Sequence, residues 1–394
     1  MTVKSFLCRS LDFVYRRIIY VYYRICKALP IDNNLIVFYS SVDYSDSSRV
    51  FYEYLLEKRP NYRYVWMLNG SGKLYNKERT EFLRMFGSPR AAKQLAVAKY
   101  VFHTHPLDAL FDPRDEQLVV NLWHGIPFKG KKGKIPPKNK KTKFNIMLCL
   151  GDNNIATTAS FVGCDQSLLR PWGYPRLDLL YTCKDIGKNN PFVPDGFNGK
   201  LILWMPTFRK SIAKHLSEQT CDNETGLPLL TSISEINRFN DYLKSFNVVI
   251  IIKIHHLQAK KDIFGQRFSH LVFLQDKEIL SKGYQLYEIV AKSDALLTDY
   301  SSIFADYLLM DRPIGFILDD LKEYETSRGA FLFNPITDVL CGNHIYHYDE
   351  LCEFCSEIGN VIDKESEFRK RIKTEMINYP DGNNCQRLID KLGM

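Results

Sequence analysis

The fold is decided by residues 295–318, which read ALLTDYSSIFADYLLMDRPIGFIL. A short apolar run predicts a strand at 295–298, and a second one predicts a strand at 314–318. Between them, residues 302–309 have the pattern of a helix. Short apolar strands that alternate with helices are typical of a parallel sheet, so this segment predicts an α/β protein.

The same alternation continues on both sides of this segment. Further strands are predicted at 35–39, 64–68, 100–102, 117–122, 145–150, 201–205, 248–254 and 271–274, with helices at 88–98, 232–245 and 284–291. A stretch rich in Gly, Asn, Pro and Asp at 182–199 predicts a linker. We therefore predict two Rossmann-like domains, residues 31–181 and 200–394, that face each other across a cleft, with a separate helix at 1–30.

Composition agrees with a two-domain globular protein. The chain has 394 residues, of which 45% are hydrophobic and 25% charged. Its ten cysteines have no signal peptide before them and predict reduced thiols in the cytoplasm. Cys352 and Cys355 form a lone CxxC, which predicts two thiols on a helix. Since no acidic cluster resembles a metal site either, the sequence requires no metal, and we expect no other cofactor.

Residues 4–29 predict an amphipathic helix. One face is apolar and consists of Leu7, Leu11, Val14, Tyr15, Ile18, Val21, Tyr22, Ile25 and Leu29. The opposite face carries Arg9, Arg16, Arg17, Arg24 and Lys27, with Tyr20 and Tyr23 among them. This pattern predicts a helix that lies on a membrane surface with its cations toward anionic headgroups. The alternative is a helix packed on the protein body. No apolar run is long enough to cross a bilayer.

A second basic stretch occupies residues 129–143, with eight lysines and no acidic residue. The lysines singled out for contact with anionic lipid and with acceptor phosphates are Lys131, Lys132, Lys138, Lys140 and Lys141. The alternative is a solvated loop. Residues 1–30 carry a net charge of +5 and residues 129–143 carry +8, so the rest of a chain whose net charge is +8 carries −5, which argues against a nucleic-acid binder.

Reactive residue types collect directly after the predicted strands, where ligands of parallel sheets bind. Trp123-His124-Gly125 places a histidine beside a glycine that allows close approach of a substrate, which suits a general base. Pro206-Thr207-Phe208-Arg209 offers a guanidinium for phosphate oxygens. Lys253-Ile254-His255-His256 can hold a diphosphate.

Two further motifs complete the set. Thr298, Ser301 and Ser302 surround a strand end that runs into a helix, which predicts an anion site. Asp306 lies one turn further on the face of Ser302, where it can reach a ribose or polyol hydroxyl. Gly173 to Asp178 adds Arg176 near the domain junction.

In this order, the motifs resemble those of the CDP-glycerol glycerophosphotransferases, which build wall teichoic acids and related capsular polymers. The resemblance covers about residues 35–335, from Tyr44-Ser45-Asp46-Ser47 through the motifs above to Asp320, Tyr324, Arg328 and Gly329. The sequence departs from the usual residues of the family at Ile126, Phe128 and His256, so the resemblance does not determine which polyol the donor carries. The resemblance implies a glycosyltransferase B type fold and a peripheral enzyme on the cytoplasmic face of the membrane.

The resemblance also implies roles for individual residues. His124 and His255 are catalytic, with His124 as the base. The residues around the CDP donor are Trp123, Gly125, Arg176, Pro206, Thr207, Arg209, Lys253, His255, Thr298, Ser301, Ser302 and Asp306. In the mechanism we expect, His124 takes a proton from an acceptor hydroxyl, whose oxygen attacks the β-phosphorus of CDP-glycerol, and CMP leaves.

We expect a priming enzyme that acts on a lipid-linked glycan of the undecaprenyl diphosphate type. Three alternatives stay open at this point. The donor can be another CDP-polyol such as CDP-ribitol, or it can be a nucleotide sugar. A protein of another class is the third: a non-catalytic surface protein that binds anionic polymers. The sequence makes no prediction of oligomeric state.

Overall fold

The computed structural model describes residues 3–70, 77, 79–128, 142–183, 190–206, 223–254, 262–328, 331–333 and 335–394. Within these ranges the chain forms two parallel sheets with helices around them, and the predicted α/β class with two Rossmann-like halves is confirmed.

The first sheet has seven strands in the spatial order β3-β2-β1-β4-β5-β6-β7. They are β1 (Asp32–Tyr39), β2 (Arg63–Leu68), β3 (Thr80–Arg84), β4 (Ala98–His103), β5 (Leu118–Asn121), β6 (Ile146–Leu148) and β7 (Leu169–Arg170). The helices of this half are α1 (Val3–Cys26), α2 (Asp46–Lys58), α3 (Pro89–Val97), α4 (Ile155–Val162) and α5 (Asp178–Thr182). The short edge strands β3 and β7 were not predicted.

The second sheet has six strands in the order β10-β9-β8-β11-β12-β13. They are β8 (Lys200–Met205), β9 (Val248–Lys253), β10 (Leu271–Leu274), β11 (Ala295–Thr298), β12 (Ile314–Ile317) and β13 (Asn343–Ile345). The helices are α6 (Ile233–Ser245), α7 (Asp276–Ser281), α8 (Leu286–Lys292), α9 (Ile303–Tyr307), α10 (Leu321–Arg328) and α11 (Tyr348–Gly359). The helix predicted at 302–309 is therefore shorter and continues as a 3₁₀ turn at Leu308–Met310.

The chain then returns to the first half. Its last two helices are α12 (Ser366–Met376) and α13 (Asn384–Leu392). The carboxylate of Asp178 accepts hydrogen bonds from the backbone N–H groups of Asn384 and Cys385, both at 2.8 Å. Tyr54 on α2 donates to Gln386 at 2.8 Å. The end of the segment predicted as the second domain is thus held by residues of the first.

Continuous apolar runs explain why both sheets are covered on their two faces. Val249, Ile250 and Ile251 of β9 are all fully buried, whereas a sheet with one wet face would alternate. In the first sheet Phe38 of β1 stacks between the rings of Trp66 and Phe102, at 5.7 and 5.4 Å between centroids. Because both faces of the sheets are buried, polar groups that bind a ligand are expected at the ends of the strands.

The packing of α1 corrects one part of its prediction. Ile19, Tyr23 and Cys26 face the protein body and are buried. The hydroxyl of Tyr23 donates to the carbonyl of Asp112, and Lys27 pairs with the Asp112 carboxylate at 2.8 Å. Arg16 likewise forms a salt bridge with the carboxylate of Asp108. Arg16 and Lys27 therefore fasten the helix to the protein, and Tyr23 is a core residue rather than an interfacial one.

The opposite face of α1 is open to solvent. Its exposed apolar side chains are Phe13, Val14, Tyr15, Ile18, Val21, Tyr22 and Ile25. Ile18 and Ile25 are 61% and 65% exposed, which is unusual for isoleucine. Arg17 lies over the ring of Phe13 at 5.0 Å and is also exposed. In the described part of the chain no helix is long and apolar enough to span a membrane.

The lone CxxC lies on α11, as predicted. Cys352 and Cys355 are both buried, and burial raises the pKa of each thiol. Over the ranges given above, no group of three or more His, Cys, Asp or Glu side chains is arranged to hold a metal ion.

Candidate active site in the cleft between the sheets

Two cavities lie where the carboxyl ends of the two sheets face each other. The larger has a volume of about 410 Å³, and its walls include Asp46 and His105 from the first half and Lys253 and Asp306 from the second. The smaller has a volume of about 320 Å³ and an aromatic lining that includes Trp123, Phe128, Phe161 and Tyr300. His124, Ser301 and Ser302 border both cavities.

His124 is fixed by a strained turn at the end of β5. Trp123 and Gly125, on either side of it, have positive φ values of 56° and 131°. The side-chain carbonyl of Asn121 accepts the backbone N–H of Trp123 at 3.0 Å and holds this turn. Positive φ at a non-glycine residue costs free energy and is concentrated at functional sites.

The hydrogen bonding of His124 determines its tautomer. Its Nδ1 lies 2.8 Å from the backbone carbonyl of Thr104. A carbonyl oxygen only accepts, so Nδ1 carries the hydrogen and the neutral ring keeps an unprotonated Nε2. Burial lowers the pKa of His124, and the nearby positive charge of Arg176 lowers it further. An imidazole in this state is suited to accept a proton at neutral pH.

A second histidine, which the sequence analysis missed, lies against the first. The ring of His105 stacks on that of His124 with centroids 4.5 Å apart and planes within 3°. Burial and the neighbouring imidazole of His124 lower the pKa of His105 to about 4. The available signal was the pair of histidines in His103-Thr104-His105, at the end of β4.

Gly125 brings the two halves into contact. A Cβ at this position would lie 2.6 Å from the Oγ of Ser302, at the start of α9. The Ser302 side chain makes no capping hydrogen bond to α9, so simple helix capping does not account for it. Phe128 adds an apolar contact, because its ring lies 5.2 Å from that of Phe304 and 5.6 Å from that of Phe331.

Arg176 lies at the junction of the two halves, as predicted, and it lines the larger cavity. It is 4% exposed, and its guanidinium pairs with Asp46 at 2.9 Å and with Asp306 at 2.7 Å. Asp46 begins α2 of the first half and Asp306 lies on α9 of the second, so Arg176 joins the two halves at the wall of the larger cavity. The proximity of Arg176 outweighs the effect of burial and lowers the pKa of Asp46.

The carboxylate of Asp306 is largely committed to protein groups. Its Oδ2 accepts from Arg176 and from the hydroxyl of Tyr287. Its Oδ1 is buried and has no hydrogen-bond partner among the residues described. We predicted that Asp306 reaches a substrate hydroxyl; only Oδ1 is left for such a contact.

The remaining predicted residues fall into two groups. Lys253 lines the larger cavity and pairs with Asp276 at 3.1 Å, whereas the Thr298 hydroxyl donates to the Met205 carbonyl at 3.1 Å and links β11 to β8. Pro206 is buried directly after β8. Outside the described residues lie Thr207, Arg209, His255, Lys131, Lys132, Lys138, Lys140 and Lys141.

Comparison with known proteins gives a family match over most of the chain. Residues 21–393 match the family described as CDP-glycerol:poly(glycerophosphate) glycerophosphotransferase. The chain is 25% identical to the teichoic acid ribitol-phosphate primase of Bacillus spizizenii, over 98% of this chain and 97% of the relative. It is 24% identical to the teichoic acid poly(glycerol phosphate) polymerase of Staphylococcus epidermidis, over 75% of this chain and 42% of the relative. The chain thus matches less than half of that polymerase.

A solved structure shares the fold. The wall teichoic acid polymerase TagF superposes with a TM-score of 0.77 at 20% identity, covering 100% of this chain and 98% of that one. The same polymerase has also been solved as a variant soaked with CDPG.

Proposed function

Because the chain belongs to the CDP-glycerol:poly(glycerophosphate) glycerophosphotransferase family, we propose that it transfers a polyol phosphate from a CDP-polyol to an acceptor hydroxyl in teichoic acid synthesis. The acceptor oxygen forms a bond to the β-phosphorus, and the bond from that phosphorus to the bridging oxygen breaks. CMP leaves with the bridging oxygen, and the acceptor's proton passes to His124.

The position of His124 is the observation that carries this proposal. Its unprotonated Nε2 belongs to a ring that borders both cavities. A base shared by two cavities can serve a donor in one and an acceptor in the other. Loss of such a base typically lowers the rate by about two to four orders of magnitude.

The larger cavity fits the donor. Lys253 and the hydroxyls of Ser301 and Ser302 lie on its wall, where they can bind phosphate oxygens. Arg209 and His255, which follow β8 and β9, are proposed to complete the diphosphate site. Such preorganised donors stabilise the charge that develops on the transferred phosphate.

The smaller cavity fits the acceptor. Its rings, which include Trp123 and Phe161, offer faces on which a sugar can stack. The Nε1–H of Trp123, a residue of this lining, is buried and has no hydrogen-bond partner in the described ranges, and we propose that it donates to an acceptor hydroxyl. We propose a lipid-linked glycan of the undecaprenyl diphosphate type as the acceptor.

CDP-glycerol is the first candidate donor, and CDP-ribitol is the alternative, since the relatives described above include both glycerol- and ribitol-phosphate enzymes. A priming role is supported by the match to the ribitol-phosphate primase along nearly its whole length.

We place the enzyme at the cytoplasmic face of the membrane as a peripheral protein. The exposed apolar face of α1 supports this location. The lysines at 129–143 add attraction to anionic lipid, worth about 1 kcal/mol for each lysine near the surface. Together they bring the cleft to a membrane-bound acceptor.

The test is a donor comparison with purified protein. CDP-glycerol, CDP-ribitol and UDP-N-acetylglucosamine are each incubated with a lipid-linked disaccharide, and released nucleotide and product mass are measured. We expect CMP and a product heavier by one or few polyol phosphates. Release of UDP with sugar transfer would point to the nucleotide-sugar alternative. No release with any donor would leave a non-catalytic binder of anionic polymers.

A further inference from the structure

The stacked histidines have opposite tautomers. The backbone N–H of Ser41 approaches Nδ1 of His105 at 3.4 Å, and an N–H can only donate. The Nδ1 of His105 is therefore an acceptor, and the hydrogen of the neutral ring is on Nε2. His124 is the reverse, because its Nδ1 donates to the carbonyl of Thr104. One imidazole is left with a bare Nε2, and the other with an Nε2–H.

Thr104 contacts both rings. Its carbonyl accepts from His124 at 2.8 Å, and its hydroxyl lies 2.9 Å from Nδ1 of His105, to which it can donate. The residue is fully buried. Since Nδ1 of His105 faces the backbone of Ser41, the Nε2–H edge is the one left to the larger cavity, which this ring lines.

The surroundings keep His105 neutral. A second proton would have to go on Nδ1, which already accepts the Ser41 N–H. The positive charge of Arg176 and the stacked imidazole of His124 oppose protonation, while the carboxylate of Asp46 favours it. Burial is the largest effect and favours the neutral ring. His105 is therefore suited to donate a hydrogen bond, not to take a proton.

We propose that His105 is a second catalytic residue, whose Nε2–H donates a hydrogen bond to a non-bridging oxygen of the phosphate being transferred. This inference rests on the proposed function. Because the two ring centroids are 4.5 Å apart, a phosphate attacked by the oxygen that His124 deprotonates would lie close to His105. The negative charge on that phosphate spreads in the transition state, where a fixed donor is most effective. The first half of the protein thus supplies both the general base, His124, and a hydrogen-bond donor to the phosphate, His105.

Three substitutions separate this role from a structural one. The asparagine of His105→Asn keeps an acceptor near the position of Nδ1 but is too short to place an N–H near the position of Nε2. Gln in His105→Gln places an amide N–H near the position of Nε2 and cannot act as a base. Phe in His105→Phe keeps a flat ring against His124 and has neither group. Each variant is assayed for CMP release with CDP-glycerol and CDP-ribitol, and its melting temperature is measured.

We expect His105→Asn and His105→Phe to lose about 100-fold or more in kcat, as when one oxyanion donor is removed. His105→Gln should retain most of the activity, and its pH profile should keep the acid limb of the wild type. Equal loss in Gln and Phe variants of normal melting temperature would overturn the proposal, and so would full activity of His105→Phe. An inactive wild type with both donors would instead reject the proposed function itself.

Discussion

Gly125 and Ser302 meet across the cleft so closely that no side chain fits between them. A Cβ on Gly125 would lie 2.6 Å from Ser302 Oγ and 3.5 Å from the Arg176 guanidinium. The φ of Gly125 is 131°, a conformation that residues with a side chain rarely adopt. The halves therefore approach each other through a glycine, directly beside His124.

We expect Gly125→Ala to lower CMP release by at least about tenfold, since the strain of about 1–3 kcal/mol falls on the turn that holds His124. Gly196→Ala is the matched control. Gly196 also has a positive φ, of 75°, but no atom lies within 4 Å of its added Cβ. The control should lose some stability and keep its activity. Equal activities of the two variants would mean that the contact with Ser302 is unimportant.

Arg176→Leu should destabilise the fold by about 3–5 kcal/mol, because it leaves the carboxylates of Asp46 and Asp306 without their cation. Denaturant unfolding measures this change. Arg176 also lowers the pKa of Asp46, so its contribution is present above the ordinary aspartate pKa and is lost as pH falls through the lower folded value. The variant should therefore lose less stability than the wild type as the solution is acidified.

Arg369→Leu is the control for this substitution. Arg369 is 1% exposed and pairs with Asp363, away from both cavities. Both variants should lose stability, but only Arg176→Leu should weaken binding of the CDP donor, because of these two arginines only Arg176 lines the larger cavity. Unchanged donor affinity in Arg176→Leu would argue against a role in assembling the cleft.

Replacing Ile18 and Ile25 together by Ser should reduce pelleting with anionic lipid vesicles by more than about tenfold. Full burial of one such side chain is worth about 1.5–3 kcal/mol. The melting temperature should not change, since both side chains are exposed in the protein. Ile362→Ser, an isoleucine that is 44% exposed elsewhere, should leave pelleting unchanged. Pelleting equal to that of the wild type would exclude this face of α1 as the membrane contact.

The pH profile of the reaction should place the base below the ordinary histidine value. Burial and Arg176 lower the pKa of His124 from 6.5. Since a base acts when it is unprotonated, kcat/KM should rise with pH and reach its plateau before neutrality. His347→Ala, at an exposed histidine, should show the same profile. A midpoint above 7 would contradict the environment described for His124.

The sequence was most informative where one physical effect dominates. The central strands were predicted because burial on both faces demands apolar runs such as Val248 to Ile252. Strands β3, β7 and β13 were missed because they are short edge strands with polar residues, among them Glu81, Arg170 and Asn343. For α1, periodicity gave the two faces but not their partners. A face with Tyr23 and Lys27 can be satisfied by water or by Asp112, and only the fold decides.

The same limit applies to the site. His124 was predicted as a site residue because it follows the end of a strand. Its tautomer, however, depends on the carbonyl of Thr104, which follows the neighbouring strand β4. His105 was not predicted because its role depends on stacking against His124, a contact that the sequence does not show. Arg176 was predicted near the domain junction, but its pairing with two carboxylates that are 130 residues away on either side in the sequence depends on the fold.

The most direct test of the account compares His124→Ala with the wild type in two measurements on the same preparations, CMP release at saturating CDP-polyol and donor affinity by calorimetry. If His124 is the base that serves the acceptor, the variant should release CMP at least about 100-fold more slowly than the wild type. Its affinity for the CDP donor should be nearly unchanged. Turnover near the wild-type rate would contradict the account, because a histidine that borders both cavities with an unprotonated Nε2 would then not be required.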